Sequence, residues 1–548
     1  MKKLILILFL TGYSFCKAQN IPLDQQVQKR FNEITTGADT SVFTAFRSMD
    51  WLEFKPMLTR YKTQLADSAF GISAADTSGY FLKHITTNNW IQANGRNSVF
   101  AIDPYFDASF GKEKEQSSSI YQLSAGLHLQ GTVNDKLSYS LAYVYTSERF
   151  PNYLDSFVSG KTGANLGMGY VPGMGKGTLN SDGSYGFQQI TGNITYVPSS
   201  HFLASIGNGK NFIGDGYRSL MLSDNASNYP FIRLQAKYWK LTYNVIYSEM
   251  DNPRYLVGGT DQRKYDFMHF LGINFSDRFQ VGVFDDVIFY AKDTTIHRGF
   301  DVQYLNPIIF MRPQEFAIGS PDNSFLGFTA KYKLNKKGYL YGQLAIDDLH
   351  ISTSFQDHTN YWGNKYGVQL GIWNKDVFTV KGLSWRLEWN SVRPYTYDHG
   401  FDKPGINYTH DNQPLADPFG ANFNEFISIF QYTNQRWYGS LENLYTIRGE
   451  QPAGQTYPIG DDLWGGDPDV PNSAGQLPPI VGSKTMQGVK NHYFYNQLSV
   501  GYLINPRNRL GIEATAVYRN HTAPGLTLSD AFFSIGIKTG LYNFYKDF

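Results

Sequence analysis

Cysteine is almost absent from this sequence. Cys16 is the single cysteine among 548 residues, so the chain cannot form an internal disulfide. If Cys16 lies in a cleaved leader, the mature chain also has no catalytic thiolate and no Cys-based zinc site. An exported chain of this size without disulfides needs another source of stability, which a closed β-sheet would supply.

Charge and long apolar runs are also scarce. Charged residues make up 17% of the chain, against roughly 25% in globular proteins. Lys and Arg (48) balance Asp and Glu (47), so no basic field attracts nucleic acid and a nucleic-acid partner is excluded. Past residue 20 no run approaches the ~18 apolar residues of a membrane-spanning helix, which excludes a helical inner-membrane transporter.

The first twenty residues have the pattern of an export signal. Lys2 and Lys3 precede an apolar core at residues 4–10, and a short polar stretch leads to Ala18. This pattern predicts a signal peptide at residues 1–18, cleaved before Gln19. A lipoprotein signal also ends at a cysteine, but Phe15 stands before Cys16 where a small residue is usual.

Alternation with a period of two residues runs through most of the remaining chain. At residues 497–504, Leu498, Val500 and Tyr502 share one face while Gln497 and Ser499 lie on the other. Turn-forming residues follow at 505–508, and a second alternating run returns. The pattern predicts antiparallel strands joined by hairpins.

A closed transmembrane barrel explains this pattern better than a secreted sandwich or propeller. A sandwich this large would expose long strand edges, whereas a closed barrel has none. Residues 96–548 are therefore predicted to form an all-β, antiparallel outer-membrane barrel in contact with outer-membrane lipid. At about 25 residues per strand and connection, roughly 16 to 18 strands are expected. The long connections at 159–186, 395–424 and 449–491 should face outside the cell, and some should fold inward to constrict the pore.

Residues 19–95 differ from the barrel. Mixed apolar spacings at 23–34 and 43–65 predict short amphipathic helices. They form an N-terminal helical segment that either faces the periplasm or plugs the lumen, and the sequence leaves both alternatives open.

Several segments resemble a known family. Residues 207–234 (GNGKNFIGDGYRSLMLSDNASNYPFIRL) resemble the core of the Wzi-type capsule assembly outer-membrane proteins, in which a glycine-rich turn precedes a strand, here 217–223. Residues 305–323, 386–397 and 407–425 are similar to the Bacteroidetes branch called gliding motility protein RemB. The resemblance implies an outer-membrane barrel for surface polysaccharide attachment or gliding. Phe548 after an amphipathic last strand resembles the signal read by the outer-membrane assembly machinery.

Other motifs give little support to enzymatic or metal chemistry. The glycines at 207–216 are not followed by a helix, so a close backbone approach is favoured over a nucleotide site. Carboxylates such as Glu388 and Asp398 are expected to pair with lumen arginines rather than form a glycosidase pair. The histidines lack ligand spacing, and no G-x-S-x-G motif occurs. The sequence therefore predicts no enzyme activity, no cofactor and no metal.

Aromatic residues suggest two roles. Those near strand ends should form membrane-interface girdles, while those in long connections, at 361–362, 395–397, 408 and 464, suit stacking on sugar rings. The leading hypothesis is a barrel that holds a surface polysaccharide. The alternatives are a diffusion porin and a scaffold subunit of a gliding or secretion complex that docks partner proteins through residues 23–65. The candidate glycan- or partner-binding residues are Arg218, Asp224, Asn225, Arg312, Glu315, Arg393, Tyr395, Tyr397, His410 and Asn422.

Overall fold

A computed structural model gives the fold. It describes residues 23–37, 42–47, 49–50, 52, 80–114, 119–160, 168–257, 259–290, 304, 322–349, 360–399, 404–466, 481–540 and 544–548. The predicted signal peptide at 1–18 and the candidate residues Arg312 and Glu315 lie outside the described residues.

Twenty-one strands of the described chain form one sheet, and 18 of them close a barrel. Each barrel strand pairs antiparallel with the next, and the last pairs with the first through Ala108–Ile537 and Phe110–Ile535. The strand count agrees with the prediction of 16 to 18. The strands are β1 Ile91–Asn94, β2 Val99–Glu113, β3 Ile120–Val133, β4 Leu137–Arg149, β5 Met168–Val171, β6 Gly175–Leu179, β7 Tyr185–Tyr196, β8 Phe202–Gly209, β9 Tyr229–Tyr238, β10 Leu241–Val257, β11 Thr260–Asn274, β12 Phe279–Tyr290, β13 Asn323–Asn335, β14 Gly338–Asp348, β15 Lys365–Lys375, β16 Leu383–Val392, β17 Thr409–His410, β18 Gln413–Pro414, β19 Phe423–Asn434, β20 Trp437–Glu450, β21 Val489–Asn505, β22 Leu510–Ala523 and β23 Leu526–Thr539.

Five of the 23 described strands are not part of the barrel wall. β1 extends the first barrel strand as a short hairpin with β2, and β5 and β6 form a hairpin in the connection between β4 and β7. β17 and β18 pair with each other in a separate two-stranded sheet. The barrel therefore consists of β2–β4, β7–β16 and β19–β23.

The alternating residues place their apolar face outward. On β3, Leu123 and Leu127 are 41% and 59% exposed, whereas Ser124 and Gln130 point inward and are buried. A water-soluble sheet would bury the leucines instead, so this polarity is that of a barrel in lipid. The outward apolar belt also includes Leu141, Ile190, Ile194, Ile206, Leu344, Leu370, Leu441, Leu498, Val500, Ile512 and Ile535.

The two ends of the barrel differ. At one end, turns of a few residues join neighbouring strands, as between β9 and β10 or β13 and β14, and we call this end the short-turn mouth. The opposite end, the long-loop mouth, carries the long connections. Exposed aromatic side chains ring the short-turn mouth, as expected for an interfacial girdle. They include Tyr196, Phe202, Tyr238, Trp239, Phe275, Phe279, Phe378, Trp437 and Tyr502.

Helices lie at the ends of the barrel. They are α1 Gln25–Gly37, α2 Tyr80–Thr86 and α3 Asn152–Gly160, with 3₁₀ turns at Val377–Thr379 and Pro404–Ile406. No helix within the described ranges is long and apolar enough to cross a membrane.

Helix α1 caps the short-turn mouth. The Asp24 carboxylate accepts the Gln26 N–H at 2.9 Å, which satisfies a free donor at the helix start. Lys29 Nζ donates to the Gly382 carbonyl at 3.0 Å, and Lys333 Nζ donates to the Thr35 carbonyl at 2.8 Å. The helix is thus bonded to the turns and strand ends around the mouth.

Of the short helices predicted at 43–65, none covers residues 43–47, whereas Leu52 is helical. Residues 42–47 form no helix, and Phe46 forms a β-bridge with Ile213. The rings of Phe43 and Phe46 pack on Phe270 inside the barrel, with centroids 5.6 and 6.3 Å apart. Tertiary burial therefore outweighs the local helical spacing. Residues 53–65 lie outside the described residues.

The hydrophobic core lies inside the barrel and to one side of it. Two connections of the long-loop end turn into the lumen: residues 210–228, here the first inner loop, and residues 393–399 and 404–422, here the second inner loop. Their apolar side chains pack with those of the facing strands in a cluster that includes Ile213, Leu220, Met221, Phe284, Phe325, Tyr408, Leu415 and Phe423. The prediction that some long connections fold inward is confirmed for the described residues of 395–424.

Residues 544–548 follow the last strand but are not part of it. β23 ends at Thr539, and residues 544–548 lie inside the lumen, where the Phe548 ring is 4.4 Å from that of Phe157. Phe548 therefore does not end the last strand. The segment is held by contacts with α3 and the lumen wall, which the alternation of the preceding strand could not indicate.

Candidate functional site

The first inner loop is ordered by side chains of the barrel wall. Residues 217–223, predicted as a strand, do not form one. The Glu388 carboxylate on β16 accepts the N–H groups of Tyr217 and Arg218 at 2.7 and 3.0 Å. Gln343 on β14 accepts the Leu220 N–H at 2.8 Å. Wall side chains thus take the place of a partner strand for these buried backbone groups.

The glycine-rich turn allows this close approach. A Cβ on Gly216 would lie 2.5 Å from Glu388 Oε2 and 2.7 Å from the Arg218 carbonyl oxygen. Only a residue without a side chain fits between the loop and the wall carboxylate. The glycine pattern therefore serves backbone packing, as the sequence indicated, and not a phosphate.

Arg218 is the centre of a buried ion network. Its Nη2 lies 3.1 Å from Glu425 Oε1 and 3.1 Å from Asp547 Oδ2, and its Nε lies 3.8 Å from Asp417 Oδ2. The side chain is 1% exposed. One guanidinium therefore ties the first inner loop to β19, to the second inner loop and to residues 544–548.

The charge state of this network follows from its surroundings. Burial alone would lower the pKa of Arg218, but the carboxylates of Asp547, Glu425 and Asp417 raise it well above its usual value, so Arg218 stays charged. Burial, and then repulsion from Glu425, raises the pKa of Asp417 well above its usual value. Burial and the neighbouring Glu425 therefore both favour the protonated form of Asp417.

Two further candidates join the same elements. Asp224 accepts a hydrogen bond from the Tyr545 hydroxyl at 2.7 Å, and Asn225 Nδ2 donates to the Pro414 carbonyl at 3.1 Å. Both side chains are buried. They bond the first inner loop to residues 544–548 and to the second inner loop.

Tyr397 and His410 fix the second inner loop. The Tyr397 hydroxyl donates to the Leu220 carbonyl at 2.7 Å. His410 Nδ1 accepts the Asp251 N–H at 3.0 Å, and its Nε2 lies 3.1 Å from the Asn228 carbonyl. The ring is thus a neutral Nε2–H tautomer with both nitrogens in use, and it has no lone pair for a metal.

The remaining described candidates hold the long-loop mouth together. Arg393 Nε donates to the Asn364 carbonyl at 2.7 Å, and the Tyr395 hydroxyl donates to the Pro458 carbonyl at 2.9 Å. Asn422 Nδ2 donates to the carbonyls of Gly449 and Gln487 at 3.0 and 2.9 Å. These bonds connect the loops after β14, β16 and β20.

The eight described candidate residues thus fall into two groups. Within the lumen lie Arg218, Asp224, Asn225, Tyr397 and His410, and at the long-loop mouth lie Arg393, Tyr395 and Asn422. All are bonded to other parts of the chain, and all but the half-buried Arg393 are buried. Their observed geometry is that of residues that order loops.

A more accessible arrangement at the long-loop mouth centres on Trp464. The Arg254 guanidinium lies 3.9 Å from the centroid of the Trp464 ring. Arg254 Nε donates to Asn412 Oδ1 at 2.8 Å, and its Nη1 lies 3.6 Å from the exposed Asp462 carboxylate. Of the aromatics proposed for sugar stacking, Trp362, Tyr397 and Tyr408 are buried, whereas Trp464 is half-buried.

The sequence did not single out Arg254, Asp462, Glu425, Tyr545 or Asp547. Arg254 contacts Trp464 across more than 200 residues of chain, and no local pattern marks such a pair. Tyr545 and Asp547 follow the last predicted strand and were given no role. Their mixture of aromatic and charged residues after the strand was the available signal.

The lumen also holds two polar cavities opposite the apolar core. One, of about 220 Å³, is lined by Tyr121, Glu148, Tyr153, Lys538 and Lys546 among others. The other, of about 230 Å³, is lined by Asp24, Lys29, Gln431 and Ser499 among others. Among the described residues no group of three or more His, Cys, Asp or Glu side chains is placed to hold a metal ion.

Comparisons with known proteins identify the fold. No protein-family model matches the chain, and no curated protein sequence matches it. The structure of Wzi from Escherichia coli, described as an outer-membrane protein of group 1 capsule assembly and a carbohydrate-binding β-barrel, is similar with a TM-score of 0.57 and 12% identity, over 96% of this chain and 100% of Wzi. OprD of Pseudomonas aeruginosa gives a TM-score of 0.40 and 7% identity over 80% of this chain and 94% of OprD.

The likeness to Wzi at this identity is one of fold, and the similarity to RemB stays a prediction from the sequence. The closed barrel carries an outward apolar belt and an aromatic girdle at its short-turn mouth. With the Wzi-like fold, these features make the chain an outer-membrane β-barrel.

Proposed function

We propose that this chain is a non-enzymatic outer-membrane barrel that holds a surface polysaccharide at its long-loop mouth. The observation that carries the proposal is the locked interior. Arg218 joins two inner loops and residues 544–548 in one buried network. A diffusion porin needs an open aqueous lumen, whereas an attachment protein needs a rigid outer surface.

The chemistry of the long-loop mouth supports a carbohydrate ligand. The half-buried ring of Trp464 provides a flat apolar surface for a sugar ring. Arg254 beside it is suited to the carboxylates of acidic sugars, and Asp462 accepts hydrogen bonds from hydroxyl groups. Wzi, which shares this fold, is described as a carbohydrate-binding barrel.

Deletion of the gene tests the cellular role. Capsule that is shed into the medium while the envelope stays intact supports attachment. Intact capsule with lost spreading on agar moves the function to the gliding role of the RemB alternative. If neither capsule retention nor spreading changes, the attachment role and the gliding role are both contradicted, and the porin alternative is favoured.

A binding measurement tests the proposed surface. Purified protein with Trp464→Ala should bind capsule polysaccharide from the same strain at least several-fold more weakly than the unsubstituted protein. Trp437→Ala is the matched control, because Trp437 is exposed in the girdle at the opposite mouth. Equal binding by both variants would contradict a glycan site at Trp464.

A further inference from the structure

The polar cavities lie end to end along one side of the lumen. The first is lined by the long-loop ends of β2, β3 and β4 and by α3, and the second by α1 and the short-turn ends of β19 and β20. Both cavities are lined by Tyr217, Glu442, Gln497, Glu513 and Phe544. They therefore meet at these five residues, here called the junction.

The two cavities are suited to water rather than to apolar ligands. Volumes of about 220 and 230 Å³ each hold several waters, since one water occupies about 30 Å³ of liquid. Their walls carry hydroxyl, amide and charged groups that can solvate an ion. A discontinuous aqueous path therefore runs beside the apolar core from one mouth towards the other.

Ion pairing leaves one carboxyl group without a counter-charge at the junction. Glu148 pairs with Lys546 at 2.5 Å, Glu513 with Lys538 at 2.8 Å, and Asp24 with Arg509 at 2.6 Å. Asp547 pairs with Arg218. Glu442 faces both cavities, and no ion pair joins it to another residue in the described part of the chain. A lone carboxylate in a narrow polar passage attracts cations and repels anions.

Residues 544–548 cross the path where the cavities meet. The Tyr217 hydroxyl donates to Asp547 at 2.8 Å, and the Tyr153 hydroxyl donates to the Lys546 carbonyl at 2.6 Å. Arg519 Nε donates to the Phe548 carbonyl at 2.8 Å, and Phe544 lines both cavities. The segment is held by side-chain bonds rather than by strand pairing, so it can move without unpairing any strand of the barrel.

We propose that residues 544–548 are a latch across a passage for small monovalent cations, and that Glu442 sets its charge selectivity. The passage is a second activity of the barrel, independent of polysaccharide binding at the long-loop mouth. With the latch in place the cavities are separated, and with the latch displaced they join at Glu442.

Single-channel recording in KCl across planar bilayers tests the proposal with the full chain. The recordings are made at about pH 9, where a carboxyl group is ionised even when partial burial opposes its charge. The double variant Lys546→Ala, Asp547→Ala removes the latch contacts to Glu148, Tyr217 and Arg218 and leaves the net charge unchanged. It should conduct at least several-fold more than the unsubstituted protein and should prefer K⁺ to Cl⁻. The control double variant Asp277→Ala, Lys381→Ala removes exposed charges of two short turns and should not change conductance.

Adding Glu442→Gln to the latch variant tests the selectivity. The preference for K⁺ should fall towards equal permeability while the conductance stays raised. Heat-modifiable gel mobility identifies the folded variants that enter the comparison. A folded latch variant that conducts no more than the unsubstituted protein overturns the latch. A K⁺ preference that is the same with and without the Glu442→Gln substitution overturns the role of Glu442. Neither result bears on polysaccharide binding.

Discussion

At the scale of single residues, Arg218 is the side chain on which the interior depends most. Replacing it with methionine keeps much of the volume but leaves Glu425 and Asp547 buried without their counter-charge. Breaking a buried pair from one side costs about 3–5 kcal/mol. We therefore expect Arg218→Met to lower the unfolding temperature strongly and to expose the inner loops to protease.

Arg263 provides the matched control for this substitution. Its side chain is 64% exposed and pairs with Glu249 at 3.2 Å, and such surface pairs contribute about 0–1 kcal/mol. Arg263→Met should leave the unfolding temperature nearly unchanged. Similar losses in both variants would contradict the assignment of the network as the lock of the lumen.

Asp417 makes this lock sensitive to pH. The ordinary pKa of an aspartate is 3.8, and the folded protein raises it well above that value through burial and the neighbouring Glu425. As pH rises above about 4, the unfolded chain loses this proton while the folded chain retains it, so the free energy of unfolding falls until the folded pKa is passed. Asp417→Asn, which is neutral at every pH, should flatten that part of the dependence.

The measurement is urea unfolding at several pH values from about 4 upward. The difference in unfolding free energy between the variant and the unsubstituted protein should move in favour of the variant as pH increases. A difference that is constant with pH would show that Asp417 is already ionised in the folded protein.

Asn422 combines backbone strain with three side-chain hydrogen bonds. Its φ is +63°, and it bonds Gly449 and Gln487. Asn422→Gly keeps the left-handed backbone accessible and loses the bonds, at about 1–3 kcal/mol. Asn422→Ala loses the same bonds and adds about 1 kcal/mol of strain. The unfolding temperature should be highest for the unsubstituted protein, lower for Asn422→Gly and lowest for Asn422→Ala. Equal unfolding temperatures for the Gly and Ala variants would contradict backbone strain at this position.

At the scale of elements, the sequence predicted best the strands, whose pattern of residues repeats locally. The period of two residues identified β3, β4, β21 and β22 and their outward faces, because lipid and lumen impose the same alternation on every strand. The first inner loop was predicted as a strand because 217–223 contains suitable residues. Its backbone groups bond to the side chains of Glu388 and Gln343, which are more than 100 residues away in the sequence. The spacing of neighbouring residues cannot predict such partners.

The candidate site residues show the same difference between local properties, which the sequence gives, and long-range contacts, which it does not. Sequence reasoning selected residues such as Arg218, Asp224 and Asn422 as chemically capable, and the structure shows that they are bonded within the chain. Which arginines remain accessible depends on how the loops fold over each other. Arg254 became visible only through its contact with Trp464.

Helix α1 is an element whose attachment can be tested. Lys29 Nζ bonds the Gly382 carbonyl and the Thr433 hydroxyl, and Lys29→Ala removes both bonds. We expect limited proteolysis to cut within residues 25–37 while the barrel keeps its heat-modifiable mobility. Lys136→Ala, at an exposed turn of the same mouth, should behave like the unsubstituted protein.

The scaffold alternative uses the same element in another way. If α1 docks a partner protein, deletion of residues 23–65 should release that partner in a pull-down while the barrel stays folded. Partners that remain bound would contradict a docking role. A cap that only closes the mouth should leave partners unaffected.

At the scale of the whole molecule, the lumen is divided lengthwise. The larger apolar cluster packs against β9–β19, whereas the polar cavities follow β20–β23 and β2–β4 beside a smaller apolar cluster that includes Tyr153, Tyr495 and Val517. A barrel of 18 strands is wide enough to admit sugars when it is empty. The packing of the inner loops therefore decides whether this protein behaves as a porin.

Liposome swelling with neutral sugars measures directly whether the lumen is open to small solutes. The unsubstituted protein should not admit arabinose, because the apolar core fills one side of the lumen and residues 544–548 separate the two polar cavities on the other. Replacing residues 211–227 of the first inner loop with a short Gly-Ser linker removes Arg218 and the buried apolar residues around it, and should make the liposomes permeable. The control replaces the surface residues 451–457 in the same way and should leave them closed. Swelling at porin-like rates with the unsubstituted protein would contradict the closed interior and with it the proposed attachment role.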